Sequence, residues 1–120
     1  MDGGQPPGRR ATVADDIWSV EASRWLDAGG ARTRYVEAGS GPPVVFVHGN
    51  HPGDMWAPDH AGGWEFNLPV VAAAGYRCFA LDKLGQGLTD NPVRDPDWSL
   101  RGQVAHLTAF IAALDLGPVI

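Results

Sequence analysis

Four consecutive apolar residues, Val44-Val45-Phe46-Val47, three of them β-branched, run directly into His48-Gly49. A half-exposed strand alternates apolar and polar side chains, so an unbroken run is the pattern of a strand covered on both faces. Tyr76-Arg77-Cys78-Phe79-Ala80-Leu81 is a second run of this kind, and it too empties into a polar, glycine-containing stretch, Asp82-Lys83-Leu84-Gly85-Gln86-Gly87-Leu88-Thr89-Asp90. Strands buried on both faces need helices to cover them, and the chain supplies two. The interval from Trp64 to Ala74 sets Leu68, Val71 and Ala72 on one side, tolerates Pro69 in its first turn and stops at Gly75. Further on, Ser99 is suited to N-cap a helix whose apolar residues Leu100, Val104, Leu107, Ile111 and Leu114 form one stripe, ended by Gly117 and Pro118.

Upstream, a first arm from Trp18 to Leu26 with a loose alternation over Ile17 to Ala22, the turn material Asp27-Ala28-Gly29-Gly30 and the run Arg32 to Glu37 predict a β-hairpin. Ala38-Gly39-Ser40-Gly41-Pro42-Pro43 then breaks the chain, and Val119-Ile120 has the character of another strand's opening. The order predicts an α/β fold in which an antiparallel hairpin leads into a mostly parallel sheet with flanking helices. Ligands of such sheets sit beyond the carboxyl ends of the strands, here Val47 to Asn50 and Asp82 to Gly87. Residues 1–14 are rich in Gly and Pro without hydrophobic period and read as a flexible tail, leaving 15–120 as one domain.

Composition narrows the partners. Fourteen acidic against nine basic residues, with Arg9-Arg10 the one basic pair, offer no face for nucleic acid or an anionic membrane. No apolar run is long enough to cross a bilayer and the N-terminus lacks the order of a secretion signal, so a cytoplasmic location is expected. The lone Cys78 has no internal disulfide partner and reads as a buried strand residue.

Several residues are candidates for chemistry. His48-Gly49-Asn50 leaves a buried strand at its carboxyl end, where backbone N–H groups have no neighbouring strand to consume them. Such donors can build an oxyanion hole, although the same residues also fit an ordinary strand-to-loop turn. His48 itself is expected to hydrogen-bond beneath the loop rather than act as a base. Gly85 and Gly87 lack the third glycine of a dinucleotide fingerprint, Asp90 standing in its place, so a tight turn with Asp82 or Asp90 bonding the loop backbone is the expectation. His51, Asp54, Asp59 and His60 match no ordered metal-ligand spacing, and neither metal nor cofactor is expected. His106, between stripe positions Val104 and Leu107, reads as a boundary residue. None of Ser19, Ser23, Ser40 and Ser99 sits in a nucleophile elbow.

Taken in order, YVEAGSGPPVVFVHGN, GYRCFALDKLGQGLTDNP and WSLRGQVAHLTAFIAALDLGPVI resemble the N-terminal part of an α/β-hydrolase, from about Trp18 to Ile120. DKLGQGLTDNP and Trp64-Glu65-Phe66-Asn67-Leu68-Pro69 resemble the carbon-carbon bond hydrolases that cleave meta-cleavage products, whereas Asn50 after His48-Gly49 is similar to haloalkane dehalogenases and epoxide hydrolases. The resemblance implies that the backbone N–H of Asn50 or His51 stabilises an oxyanion and that Gly49 and Asn50 line the pocket of a small-molecule substrate. It further implies that a nucleophile follows the strand opened by Val119, serine in one reading and aspartate in the alternative, with the acid and histidine later still. The 120 residues would then hold no complete triad and be inactive alone. A non-catalytic binding module using an exposed apolar edge is the reading from another class.

Overall fold

A computed structural model describes residues 15–49 and 60–120. The tail expected over 1–14 lies outside the described residues. Within them four strands form one sheet: β1 (Arg24–Ala28), β2 (Ala31–Ala38), β3 (Pro43–Val47) and β4 (Arg77–Leu81). Their spatial order is β1-β2-β4-β3. β2 pairs antiparallel with both β1 and β4, and β3 runs parallel to β4, so the sheet changes from antiparallel to parallel as the sequence predicts. Ile120 adds to the far side of β3, donating its N–H to Pro43 O and accepting from Val45 N at 2.8 Å. That is the pairing expected of another strand's beginning.

The hairpin forms later in the chain than its apolar pattern predicts. Ile17 to Ala22 is no strand: a 3-10 turn over Asp15–Trp18 and a bend occupy it, and β1 begins at Arg24. The turn chemistry sets the register. Gly29 and Gly30 both adopt left-handed φ values, which suits a two-residue hairpin loop, and Asp27 accepts the Gly30 N–H at 2.8 Å. Ala28 therefore faces Ala31, and Trp25 and Leu26 lie on the first strand, as the first arm of the predicted hairpin has them.

Side chains alternate along β4 between two cores. Cys78 and Ala80 point to one face, where Val36, Ala61 and Leu68 pack with Phe46, Trp64 and Val71 around them. Leu81 points to the other, against Ala28 and Phe110. The first face is covered by α1 (Leu68–Ala73), which carries Pro69 in its opening turn as expected. The second is covered by α2 (Leu100–Leu114), N-capped by Ser99, whose hydroxyl accepts from Gly102 N at 3.1 Å. The tight β2–β3 link depends on Gly41, since a β-carbon there would collide with the Gly75 carbonyl.

Two apolar patterns are only partly buried. On α2 the buried positions are His106 and Phe110, while Leu100 is 81% and Val104 54% exposed. Leu107, Ile111 and Leu114 of the predicted stripe pack against this core, but the deepest positions go to Phe110, edge-on to Tyr35 (ring centroids 5.5 Å), and to His106 one turn before it. β3 is half-buried rather than sealed on both faces, with Val47 36% exposed, since among the described residues only Ile120 lies beyond it.

Candidate functional site

The carboxyl ends of β3 and β4 carry His48 and Asp82, and both are buried. Asp82 is 0% exposed and continues β4 by donating its N–H to Arg34 O. An ionised carboxylate taken out of water needs donors around it, and three are supplied. Its Oδ1 accepts from Ala61 N at 2.7 Å and faces Arg34 Nη1 at 3.4 Å, while its Oδ2 accepts from Leu88 N at 2.8 Å. Arg34, 4% exposed, spends its remaining donors on Ser23 Oγ (2.8 Å) and Trp18 O (2.9 Å). Thr89 closes the network by donating to Asp82 O and accepting from Arg34 N. Gly87 has φ +54 and lies so near that a β-carbon would collide with the Asp82 carboxylate. Asp90 accepts Arg32 N through its side chain and Gly85 N through its carbonyl. The Asp82 carboxylate thus bonds the loop backbone at Leu88, as expected of one of the two aspartates, whereas the Asp90 carboxylate ties the loop to β2.

His48 is fully engaged beneath the loop. Its Nε2 accepts the Lys83 N–H at 3.0 Å and its Nδ1 lies 2.8 Å from Gly49 O. With both nitrogens committed, the ring is placed to hold backbone rather than to relay protons, in line with the sequence reading. Gly49, expected to line the substrate pocket, is exposed at this edge. Asn50 and His51, the candidate oxyanion donors, lie outside the described residues, as do Asp54 and Asp59. Of the four residues weighed for a metal only His60 is described, and its Nδ1 accepts Gly62 N at 2.9 Å to cap the turn over Ala61–Trp64.

His106 is not at a boundary. It is 5% exposed, and its Nε2 lies 2.9 Å from Thr33 Oγ1. Because that hydroxyl donates to Ala31 O, it accepts from His106, which places the proton on Nε2. The Nδ1 is buried with no hydrogen-bond partner among the described residues, and burial pushes the pKa below the usual histidine value. Cys78 is buried as expected, and burial pushes its thiol up, away from the reactive thiolate. A cleft of about 390 Å³ lies between the β1–β2 turn, residues 90–94 and the start of α2, with His106 in its wall. It includes neither His48, Gly49 nor Asp82, so it is separate from the carboxyl-edge constellation.

Arg34 is the residue that the sequence pattern conceals. It sits in the charged run Arg32-Thr33-Arg34, which resembles a solvated strand edge. The signal that points to it is Asp82 itself, a carboxylate directly after a buried strand, which requires a cation from the neighbouring strand.

Known proteins are similar to this chain in sequence and in fold. A 2-hydroxy-6-oxo-6-(2'-aminophenyl)hexa-2,4-dienoic acid hydrolase from Metapseudomonas resinovorans is 37% identical over 103 residues, 86% of this chain and 33% of that protein. A haloalkane dehalogenase from Mesorhizobium japonicum is 41% identical over 87 residues, 72% of this chain and 25% of its own length. Among solved structures, an epoxide hydrolase from Vigna radiata superposes with a TM-score of 0.71 at 28% identity, covering 82% of this chain and 30% of that one. A serine hydrolase involved in carbazole degradation does so with a TM-score of 0.63 at 36% identity, over 76% and 33%. No family model matches the chain. The chain spans a third or less of the length of these relatives, which are α/β-hydrolases matched over their N-terminal part. With the hairpin, the β1-β2-β4-β3 order and the turns after β3 and β4 following one another as predicted, the chain matches α/β-hydrolases over their N-terminal part and carries that part of the α/β-hydrolase fold.

Proposed function

We propose that this chain supplies the oxyanion-hole side of a hydrolase active site, with Asn50 or His51 as backbone donors and Gly49 beside the substrate. The observation that carries this reading is the pairing of the two carboxyl ends: His48 on Lys83, next to the Asp82 carboxylate, with Ile120 entering parallel beside β3. Donors at the end of β3 would face whatever the strand opened by Ile120 presents at the same edge, which is the geometry acyl transfer needs. The substrate is a small molecule, and serine-type cleavage of a carbon-carbon or ester bond is the preferred reaction. Similarity to a haloalkane dehalogenase and to epoxide hydrolases supports an aspartate nucleophile as the second reading. A cytoplasmic setting without nucleic-acid or membrane partners fits the acidic charge, and no helix among the described residues is long and apolar enough to cross a membrane.

The 120 residues alone are proposed to be inactive. Purified chain incubated with a generic ester and with a meta-cleavage product is expected to show no turnover above buffer, and turnover that survives repurification would overturn this. Sequencing the nucleotides that follow the Ile120 codon tests the hydrolase reading. Gly-x-Ser-x-Gly after a strand supports the serine enzyme, Asp at the serine position supports the alternative, and a stop codon there removes both.

A further inference from the structure

We infer that the cleft between the β1–β2 turn and the start of α2 is a binding site for a small molecule bearing a primary ammonium group, with His106 Nδ1 as one of its acceptors. The cleft measures about 390 Å³, within the size range of small-ligand sites. Small residues of the turn form one side, and Gly102, Ala105 and His106 of α2 form the other. His106 is 5% exposed, and its Nε2–H is spent on Thr33 Oγ1, which is not part of the cleft wall. Its Nδ1 therefore carries a lone pair, and this atom is buried with no donor among the described residues. Gln103, three residues earlier on the same side of α2, repeats the pattern. Its Nε2 donates at 3.0 Å to the carbonyl of Leu84, a wall residue, and its Oε1 is buried with no donor among the described residues. Two buried acceptors without donors, beside one cleft, call for a donor that the cleft admits.

Charge selects among donors. Arg94 is held by Asp97 through Nη2 to Oδ1 at 3.1 Å and Nε to Oδ2 at 3.4 Å, so these two wall charges offset each other. Asp90 is left over. It accepts the backbone N–H of Arg32, whose guanidinium lies over the Trp25 ring, 3.8 Å from its centroid. The wall thus presents lone pairs and a net negative charge, with Leu84, Pro92 and Val93 as apolar surface for a short hydrocarbon body. A primary ammonium has three donors, no acceptor and a positive charge, the complement of that wall. Burial holds the His106 ring neutral and so able to accept. None of these residues enters the oxyanion-hole reading, so either proposal can fail without the other.

The probe is n-butylammonium chloride, titrated into chain labelled with ¹⁵N-histidine at mildly alkaline pH, with the His106 ring signals assigned by their loss in His106→Gln. The Nδ1 resonance of His106 is expected to move saturably while Nε2 stays in place. Tetramethylammonium, a cation without N–H, should bind at least ~10-fold more weakly, the factor of one charge-assisted hydrogen bond. The uncharged n-butanol should also bind more weakly. Ala105→Leu, at an exposed helix position on the wall, fills the cleft without touching the core and should abolish the shift while the far-UV spectrum is unchanged. Equal affinity for tetramethylammonium or for n-butanol would overturn the ammonium assignment. The absence of a saturable Nδ1 shift, or one that persists in folded Ala105→Leu, would overturn the site.

Discussion

Asp82 and His106 show two ways of burying a titratable side chain. Asp82 is matched by two backbone donors and Arg34, so removing it strands a guanidinium that is itself almost fully buried. Asp82→Ala is expected to destabilise the chain by about 3–5 kcal/mol, the usual result of breaking a buried pair from one side, read as a fall in the urea midpoint. His106 is matched on one nitrogen only. Its folded pKa is lowered by burial, so below pH ~6.5 the unfolded chain takes up a proton that the folded chain refuses. Stability from this residue is thus complete above that pH and lost as pH falls towards the depressed folded value. Asp90, Asp97 and Arg94 line the cleft that His106 borders, and their charges enter both forms of the comparison. Unfolding free energy measured between pH 7 and 5 is expected to fall less steeply in His106→Gln than in the unsubstituted chain. The sequence reveals Asp82 as a loop-bonding residue but not His106, because its helical stripe is drawn through apolar side chains and a neutral imidazole bonded to Thr33 packs as one.

At the level of elements, what the sequence discloses depends on how local the cause is. Ser99, Pro69 and Gly75 act through the backbone within a turn of themselves, and both helices start and stop close to where they predict. The side of α2 that faces inward is decided instead by Tyr35 and Ala28, distant in sequence, and they select Phe110. Phe110→Ala is therefore expected to cost about 3–5 kcal/mol, while Leu100→Ala, at a stripe position left in solvent, should stay within about 0.5 kcal/mol. Equal losses by thermal or urea unfolding would restore the predicted stripe. The hairpin turn is legible for the same reason as the helix ends, since Gly29-Gly30 dictates a two-residue turn, whereas the start of the first strand is not: it begins at Arg24 and leaves the looser alternation of Ile17 to Ala22 outside it. In the site, the spacing of His48-Gly49 and Asp82 to Asp90 gave the two loop origins, whereas the cation between them came from another strand and left no mark nearby.

Across the described residues, apolar surface stays open on both faces of the sheet and at its parallel edge. Leu100 and Val104 on α2, Val70 on α1, Phe66 before it and Val47 at the end of β3 are all exposed. Surfaces of this kind, next to a parallel strand paired along only part of its length, favour association. Sedimentation velocity is expected to show a weight-average mass rising with concentration for the 120-residue chain. A single monomeric boundary that also unfolds cooperatively would contradict this. The Asp82 network has a different consequence, one of timing. Its partners come from β2, from the turn at Ala61 and from the loop at Leu88, with 48 residues separating Arg34 from Asp82. A partly assembled state that buries Asp82 before all three have arrived leaves its carboxylate short of donors, which disfavours intermediates with a half-built carboxyl edge.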